Sequence, residues 1–257
     1  MVGVPDSIAI LLSGDVAGKA LIVYVVDDDE SIRLALRGLL RSVGIGVETF
    51  GSSREFLAFP KREVPSCLIL DIRLRDENGL MFQEKVAQHG LHMPILFLTG
   101  HGDIGMSVKA MKAGAHDFFP KPFDDQDMLE AVGRALAHDA ARLAAEQAVA
   151  GLRSRYDSLT TREREVLEHV VAGLMNKQIA SEVHISEITV KIDRGHAVKK
   201  MASRSVAELV RKAEALCICP KAQSTDNFRL WLSSIPLIFT VRIPGEIAYG
   251  GSSTTRR

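Results

Sequence analysis

Apolar residues recur along the chain with two different periods. Five short runs rich in β-branched and aromatic residues, 21–26 (LIVYVV), 47–50 (VETF), 67–71 (CLILD), 94–99 (PILFLT) and 116–119 (HDFF), read as strands. Between them apolar positions return every three or four residues, as helices require: Ile32, Leu36, Leu39 and Val43; then Met106, Ala110 and Ala113; then Leu129, Val132 and Leu136. Strands that alternate with helices build a parallel sheet, and each helix covers part of one face. The first half is therefore expected to be an α/β domain on a doubly wound five-stranded parallel sheet.

From Thr160 to Leu216 the strand signals stop and short helical patterns follow, punctuated by Gly173 and Ser186. Thr160 or Thr161 is placed to cap a helix whose buried stripe is Val166, Leu167, Val170 and Val171. NKQIASEV follows as a short second helix, and Ser186 caps a third, with Ile188, Ile192 and Val198 available for packing. This predicts a separate all-α domain of four helices. The Ala-rich stretch 134–151 reads equally as a helical linker and as a solvated helix end. Residues 1–20 and 217–257 fit neither domain.

A chain of 257 residues suits two ordinary domains, and 46% hydrophobic with 25% charged residues excludes disorder as its overall class. The net charge of zero conceals a division: 21–150 carries 14 Lys and Arg against 19 Asp and Glu, whereas 151–216 carries 12 against 9. An acidic front and a basic back point to different partners. Cys67, Cys217 and Cys219 cannot all pair and lack the spacing of a zinc site, which fits a reducing cytosol. No basic region precedes the first apolar stretch, and the late apolar segment 230–241 is cut by Ser233, Ser234 and Pro236. Neither a signal peptide nor a membrane span is expected.

The chemistry gathers where strands end. In an open parallel sheet, ligands bind beyond the carboxyl ends of the strands. Asp27, Asp28 and Asp29 follow the first strand there, Asp71 ends the third, Thr99 the fourth, and Lys121 follows the fifth. Adjacent carboxylates repel unless a cation neutralises them, and all-oxygen donors suit Mg2+. A carboxylate can attack phosphorus, while a hydroxyl and an ammonium hold the transferred group. Singly, each residue would be an ordinary turn, cap or surface residue; their order makes a phosphoryl site.

That order, in VVDDDESIR, LILDIRLRDENGL, PILFLTG and KAMKAGAHDFFPKPF, makes 21–137 resemble the receiver domain of two-component response regulators. The resemblance implies a flavodoxin-like fold with Asp71 as phosphoacceptor. It also implies a metal held by Asp27, Asp28, Asp71 and the Arg73 backbone carbonyl. Thr99 becomes the switch hydroxyl, Lys121 the phosphate-binding lysine and Phe118 the aromatic switch position, where a phenylalanine offers packing only. Arg73 and His101 fall where such receivers tune dephosphorylation, and Pro122 falls at the family's cis-proline. Asp29 lies one place beyond the acidic pair and reads as a helix-start acid.

The stretch 159–216 resembles the LuxR-type helix-turn-helix, and the two parts in this order resemble the NarL/FixJ-type response regulator. The layout implied is an N-terminal extension at 1–20, the receiver at 21–137, a helical linker at 138–155, the DNA-binding domain at 156–216 and an atypical tail at 217–257. Thr189, Lys191, Ile192, Arg194 and Lys199 would contact DNA, and Val206, Leu209, Val210 and Ala213 would form a dimer. Two departures stand out. Asp193 occupies a position where the family usually has His, and the tail resembles nothing in the family, as a shifted reading frame would produce.

The expected function is a cytoplasmic transcription regulator that is not an enzyme in its own right. Asp71 would take a phosphoryl group from a sensor histidine kinase with Mg2+, favouring a homodimer that binds double-stranded promoter DNA. Two other readings stay open: a receiver that signals through protein contacts with impaired DNA binding, and a Mg2+-dependent phosphatase. The sequence names no kinase, stimulus or operator.

Overall fold

The computed structural model describes residues 5, 8–9, 20–75, 78–100, 110–112 and 114–218. Two compact units divide between Gly151 and Leu152. The first contains β1 (Ile22–Val26), α1 (Glu30–Ser42), β2 (Gly46–Phe50), α2 (Ser53–Ala58), β3 (Ser66–Asp71), α3 (Gly79–Gln88), β4 (Ile95–Thr99), β5 (Asp117–Pro120) and most of α4 (Asp125–Asp157).

The five strands are parallel in the order β2-β1-β3-β4-β5, so the sheet grows outward from β1 in both directions. Register fixes the site: Val26 pairs with Phe50 and Leu70, Asp71 with Leu98, and Thr99 with Pro120. The residues that follow the central strands therefore leave the sheet along one edge.

Because neighbouring strand residues point to opposite faces, each central strand feeds two cores. Val23, Val25, Ile69, Leu96 and Leu98 pack with Leu36, Leu40, Leu129, Val132 and Leu136 of α1 and α4. Tyr24, Val26, Leu68, Leu70 and Phe97 pack with Phe56, Phe82 and Val86 of α2 and α3. Both faces being covered explains why β1 and β3 read as unbroken apolar runs. In α1 the fully buried pair is Leu36 and Leu40, with Ile32 and Leu39 only partly covered, a small rotation from the expected stripe. Ala110 is buried, while Met106 and Ala113 lie outside the described residues.

Helix α4 runs unbroken to Asp157. Asp139 in its middle is fully buried and accepts from the backbone N of Ser66 (2.9 Å) and from Arg142 Nε (2.8 Å). The helix is thus fastened to the start of β3 beyond residue 137, where the receiver was expected to end.

The second unit contains α5 (Thr161–Val171), α6 (Asn176–Glu182), α7 (Glu187–Lys200) and α8 (Val206–Ala215). Thr160 and Glu163 form a capping box at the start of α5, and Ser186 caps α7. Val166, Leu167, Val170, Ile179, Val190, Ala197, Leu209 and Ala213 make the core. In α7 the inward residues are Val190 and Ala197, two turns apart, which turns Ile188 and Ile192 outward at 73% and 51% exposure. Ile188 is corrected from a residue available for packing to a surface one, and Ile192, expected both for packing and for DNA, also lies outside the core; Val198 is partly buried against it. No helix among the described residues is long and apolar enough to cross a membrane.

Candidate phosphoryl site and helical second unit

Asp71, at the end of β3, is buried, and its two carboxylate oxygens are held differently. Oδ1 accepts from the backbone N of Arg73 (3.0 Å), and Oδ2 accepts from Lys121 Nζ (2.7 Å). The same ammonium reaches Asp27 Oδ2 (2.6 Å). Asp27 is fully buried; its Oδ1 accepts from the backbone N of Asp29 (2.9 Å) and its carbonyl from Arg33 Nη1 (2.7 Å). Asp28 sits one place further out, and its Oδ2 accepts from Arg75 Nε at 2.8 Å. Oxygens of Asp27, Asp28 and Asp71 lie within 4.8 Å of one another.

The cluster's electrostatics follow from burial. Loss of solvent raises the Asp27 carboxyl above its ordinary value, although Lys121 pulls the other way. Burial works against the charged Lys121, but hydrogen bonds to Asp27 and Asp71 outweigh it and hold the ammonium above its ordinary value. Asp29 stands apart from the cluster. It caps α1, accepts from Ser31 N at 2.8 Å, and that bond lowers its carboxyl, as a helix-start acid should behave. Two of the three adjacent carboxylates thus face the site and the third starts a helix.

Thr99 is buried at the end of β4, its hydroxyl donating to the Gly100 carbonyl (2.9 Å). The Lys121 backbone N donates to the Thr99 carbonyl (2.6 Å), and the Lys121–Pro122 peptide is cis. Phe118 is half-buried in β5 against the core beneath α2 and α3. The Arg73 side chain is exposed, and its backbone pairs with Asn78. His101 lies outside the described residues.

Three contributors were not foreseen from sequence. Arg75 and Arg33 bind the acidic pair, and nothing in their spacing announces it. Gly79 starts α3 so close to β3 that a Cβ there would lie 2.6 Å from the Asp71 carbonyl O and 2.9 Å from Ile72 Cα. Its place in the LRDENGL stretch was the available signal.

On α7, Thr189, Lys191, Ile192 and Lys199 are exposed together. Arg194, expected with them, is half-buried and donates to Asn176 Oδ1 (2.8 Å), joining α7 to α6. Asp193 is also half-buried, and its Oδ2 has no hydrogen-bond partner among the described residues. Glu163 is buried and binds Lys200 Nζ (2.7 Å), so the base of α7 is tied to the start of α5. In α8, Leu209 and Ala213 belong to the unit's own core, which leaves Val206 and part of Val210 at the surface. An i,i+4 pair that packs inward cannot also face a partner, so Leu209 and Ala213 are corrected from dimer contacts to core residues.

Comparison with known proteins gives the arrangement its family. The response regulator receiver domain matches residues 23–133, and the LuxR family of bacterial regulatory proteins matches 157–213. Nodulation protein W of Bradyrhizobium diazoefficiens is 50% identical over 202 residues, covering 79% of this chain and 89% of that protein. Response regulator protein TodT of Pseudomonas putida is 43% identical over 198 residues, covering 77% and 87%. The chain belongs to the response regulator family. The solved structure of the response regulator StyR covers 76% of this chain and 98% of its own, at 45% identity and a TM-score of 0.69. This response regulator is accordingly a phosphorylation-controlled, DNA-binding transcription regulator, with a five-stranded receiver followed by a LuxR-type helical unit.

Proposed function

We propose that Asp71 is the phosphoacceptor of this response regulator and that a sensor histidine kinase is its donor. One Asp71 carboxylate oxygen attacks the phosphorus of the kinase's phosphohistidine. A P–O bond forms as the P–N bond breaks, and the imidazole leaves with a proton. The observation that carries this reading is the Lys121 ammonium, 2.7 Å from Asp71 Oδ2 and so beside the place where the phosphoryl charge arrives.

The acidic group fits Mg2+, because three carboxylates gather their oxygens in a small space and offer a hard cation only oxygen donors. Asp27, Asp28, Asp71 and the Arg73 carbonyl would hold it. When bound, the ion neutralises charge on the phosphoryl oxygens. Lys121 shares that role, and Thr99 turns its hydroxyl from the Gly100 carbonyl to a phosphoryl oxygen. Phe118 then packs further inward, shifting an existing equilibrium. Arg73 and His101 tune the phosphoryl lifetime in this reading, and the receiver's only chemistry is on itself.

In this reading residues 21–137 receive the signal, 138–155 connect, and 156–216 bind double-stranded promoter DNA in the cytoplasm. Lys191 and Ile192 face the major groove, while Thr189 and Lys199 lie near the backbone. Val206 and Val210 supply the exposed apolar side of α8 for a homodimer. Residues 1–20 and 217–257 are extensions of the two working parts, and of their described residues Ile8 packs in the receiver core and Ile218 against the core of the helical unit. A gel shift on genomic fragments at fixed salt, with and without acetyl phosphate, tests the whole reading. Tighter binding with the donor supports it; identical binding contradicts phosphorylation control.

A further inference from the structure

We propose that Arg75 is a built-in competitor for the metal, occupying the Asp28 carboxylate and so setting how tightly the site takes a divalent cation. This inference rests on the reading that Asp27, Asp28 and Asp71 hold Mg2+. The three carboxylates do not share one counter-ion. Lys121 serves Asp27 and Asp71, at 2.6 and 2.7 Å, and its side chain is only 18% exposed. Asp28 is bound by a different cation, Arg75, whose Nε lies 2.8 Å from Oδ2 and whose side chain is 80% exposed.

The two cations differ in what they can do next. Lys121 is enclosed and beside Asp71, so it stays to meet the phosphoryl group. Arg75 is attached to the loop after β3 through the buried Leu74 and opens onto a cleft of about 330 Å3 lined by Asp28, Arg33, Ser52 and Leu74. Its guanidinium can swing into solvent at small cost, because exposed ion pairs contribute little. A guanidinium and a metal ion cannot use the same carboxylate lone pairs, and their like charges repel at close range. A metal that takes Oδ2 therefore displaces Arg75, and one that takes Oδ1 still sits against the guanidinium charge. Since guanidinium does not lose its proton in the accessible pH range, this competition is set by charge and geometry alone.

Arg75→Ala should tighten Mg2+ binding about 2- to 5-fold, the affinity equivalent of ~0.4–1 kcal/mol for an exposed pair. Arg75→Lys, which keeps the charge but loses the fixed fork, should fall between parent and Arg75→Ala. In an Asp28→Asn background, Arg75→Ala should change affinity much less, because the contested ligand is gone. Isothermal titration calorimetry of Mg2+ into the full chain measures the parent and each variant. An Arg75→Ala affinity equal to or weaker than the parent's overturns the inference, and if Asp28→Asn still weakens binding the metal site itself stands. If Asp27→Asn and Asp28→Asn both leave Mg2+ binding unchanged, the metal site falls and this inference falls with it.

Discussion

Lys121 Nζ lies 2.6 Å from Oδ2 of Asp27, a contact that spans 94 residues of sequence and joins the two ends of the site across the sheet. Asp27 has no exposed surface, so its charge depends on that ammonium and on the Asp29 backbone N–H. Strand register brings the partners together, and each charge offsets part of what burial costs the other.

That dependence predicts a pH effect on stability. Burial raises the Asp27 carboxyl in the folded chain above its ordinary value, so the folded state holds its proton to higher pH than the unfolded state does. The contribution to stability is complete below the ordinary carboxylate value and is lost as pH rises through the folded value. Without Mg2+, Asp27→Asn should gain stability over the parent as pH rises from about 4 into the neutral range. Urea unfolding of both proteins in EDTA across that range measures it. A difference that shrinks with rising pH would contradict the assignment.

Gly79→Ala places a methyl group 2.6 Å from the Asp71 carbonyl O, which is backbone and cannot rotate away. Either α3 or the end of β3 must shift. The expected cost is about 1–3 kcal/mol by chemical denaturation, together with weaker Mg2+ binding because Asp71 moves. Parent-like values in both measurements would show that the close approach is not a constraint.

Asp139→Ala removes a fully buried carboxylate that accepts from Ser66 N and Arg142 Nε. A buried donor left without a partner costs about 1–3 kcal/mol, and that loss is expected in unfolding experiments. Amide exchange should also quicken at Ser66 and along α4 around residue 139. Unchanged exchange at Ser66 would mean that the contact does not hold the helix.

On α7, Lys191→Ala should weaken DNA binding. If Lys191 reaches a base edge, preference at one base pair relaxes by roughly 1–3 kcal/mol; if it meets a phosphate, the salt slope falls by about 1 for every sequence alike. Arg194→Ala should instead reduce the stability of the helical unit, because its guanidinium is spent on Asn176. Fluorescence anisotropy on specific and random duplexes, beside thermal unfolding, separates the two. Loss of affinity in Arg194→Ala with unchanged stability would reverse its role.

The phosphoryl site was legible because its residues follow apolar strand runs, and a parallel sheet puts such positions on one edge. Asp27, Asp28, Asp71, Thr99 and Lys121 needed no knowledge of packing. Arg75 and Asp139 were not legible, since they act on Asp28 and Ser66 across 47 and 73 residues and leave no periodic trace. Helices α2 and α3 went unnamed because few buried residues, Phe56 in one and Phe82 and Val86 in the other, mark their faces. The apolar residues of α7 and α8 showed that helices were present without showing which side was inward. Ile188 was expected inside and lies outside, while Leu209 and Ala213 were expected at a partner and lie in the core.

Asp71 is the residue expected to take the phosphoryl group. Intact-mass spectrometry of the full chain incubated with acetyl phosphate and Mg2+, for the parent and for Asp71→Ala, reads this directly. The parent should gain one phosphoryl mass that peptide mapping assigns to Asp71, and Asp71→Ala should gain none. Equal incorporation in the Asp71→Ala variant would contradict it.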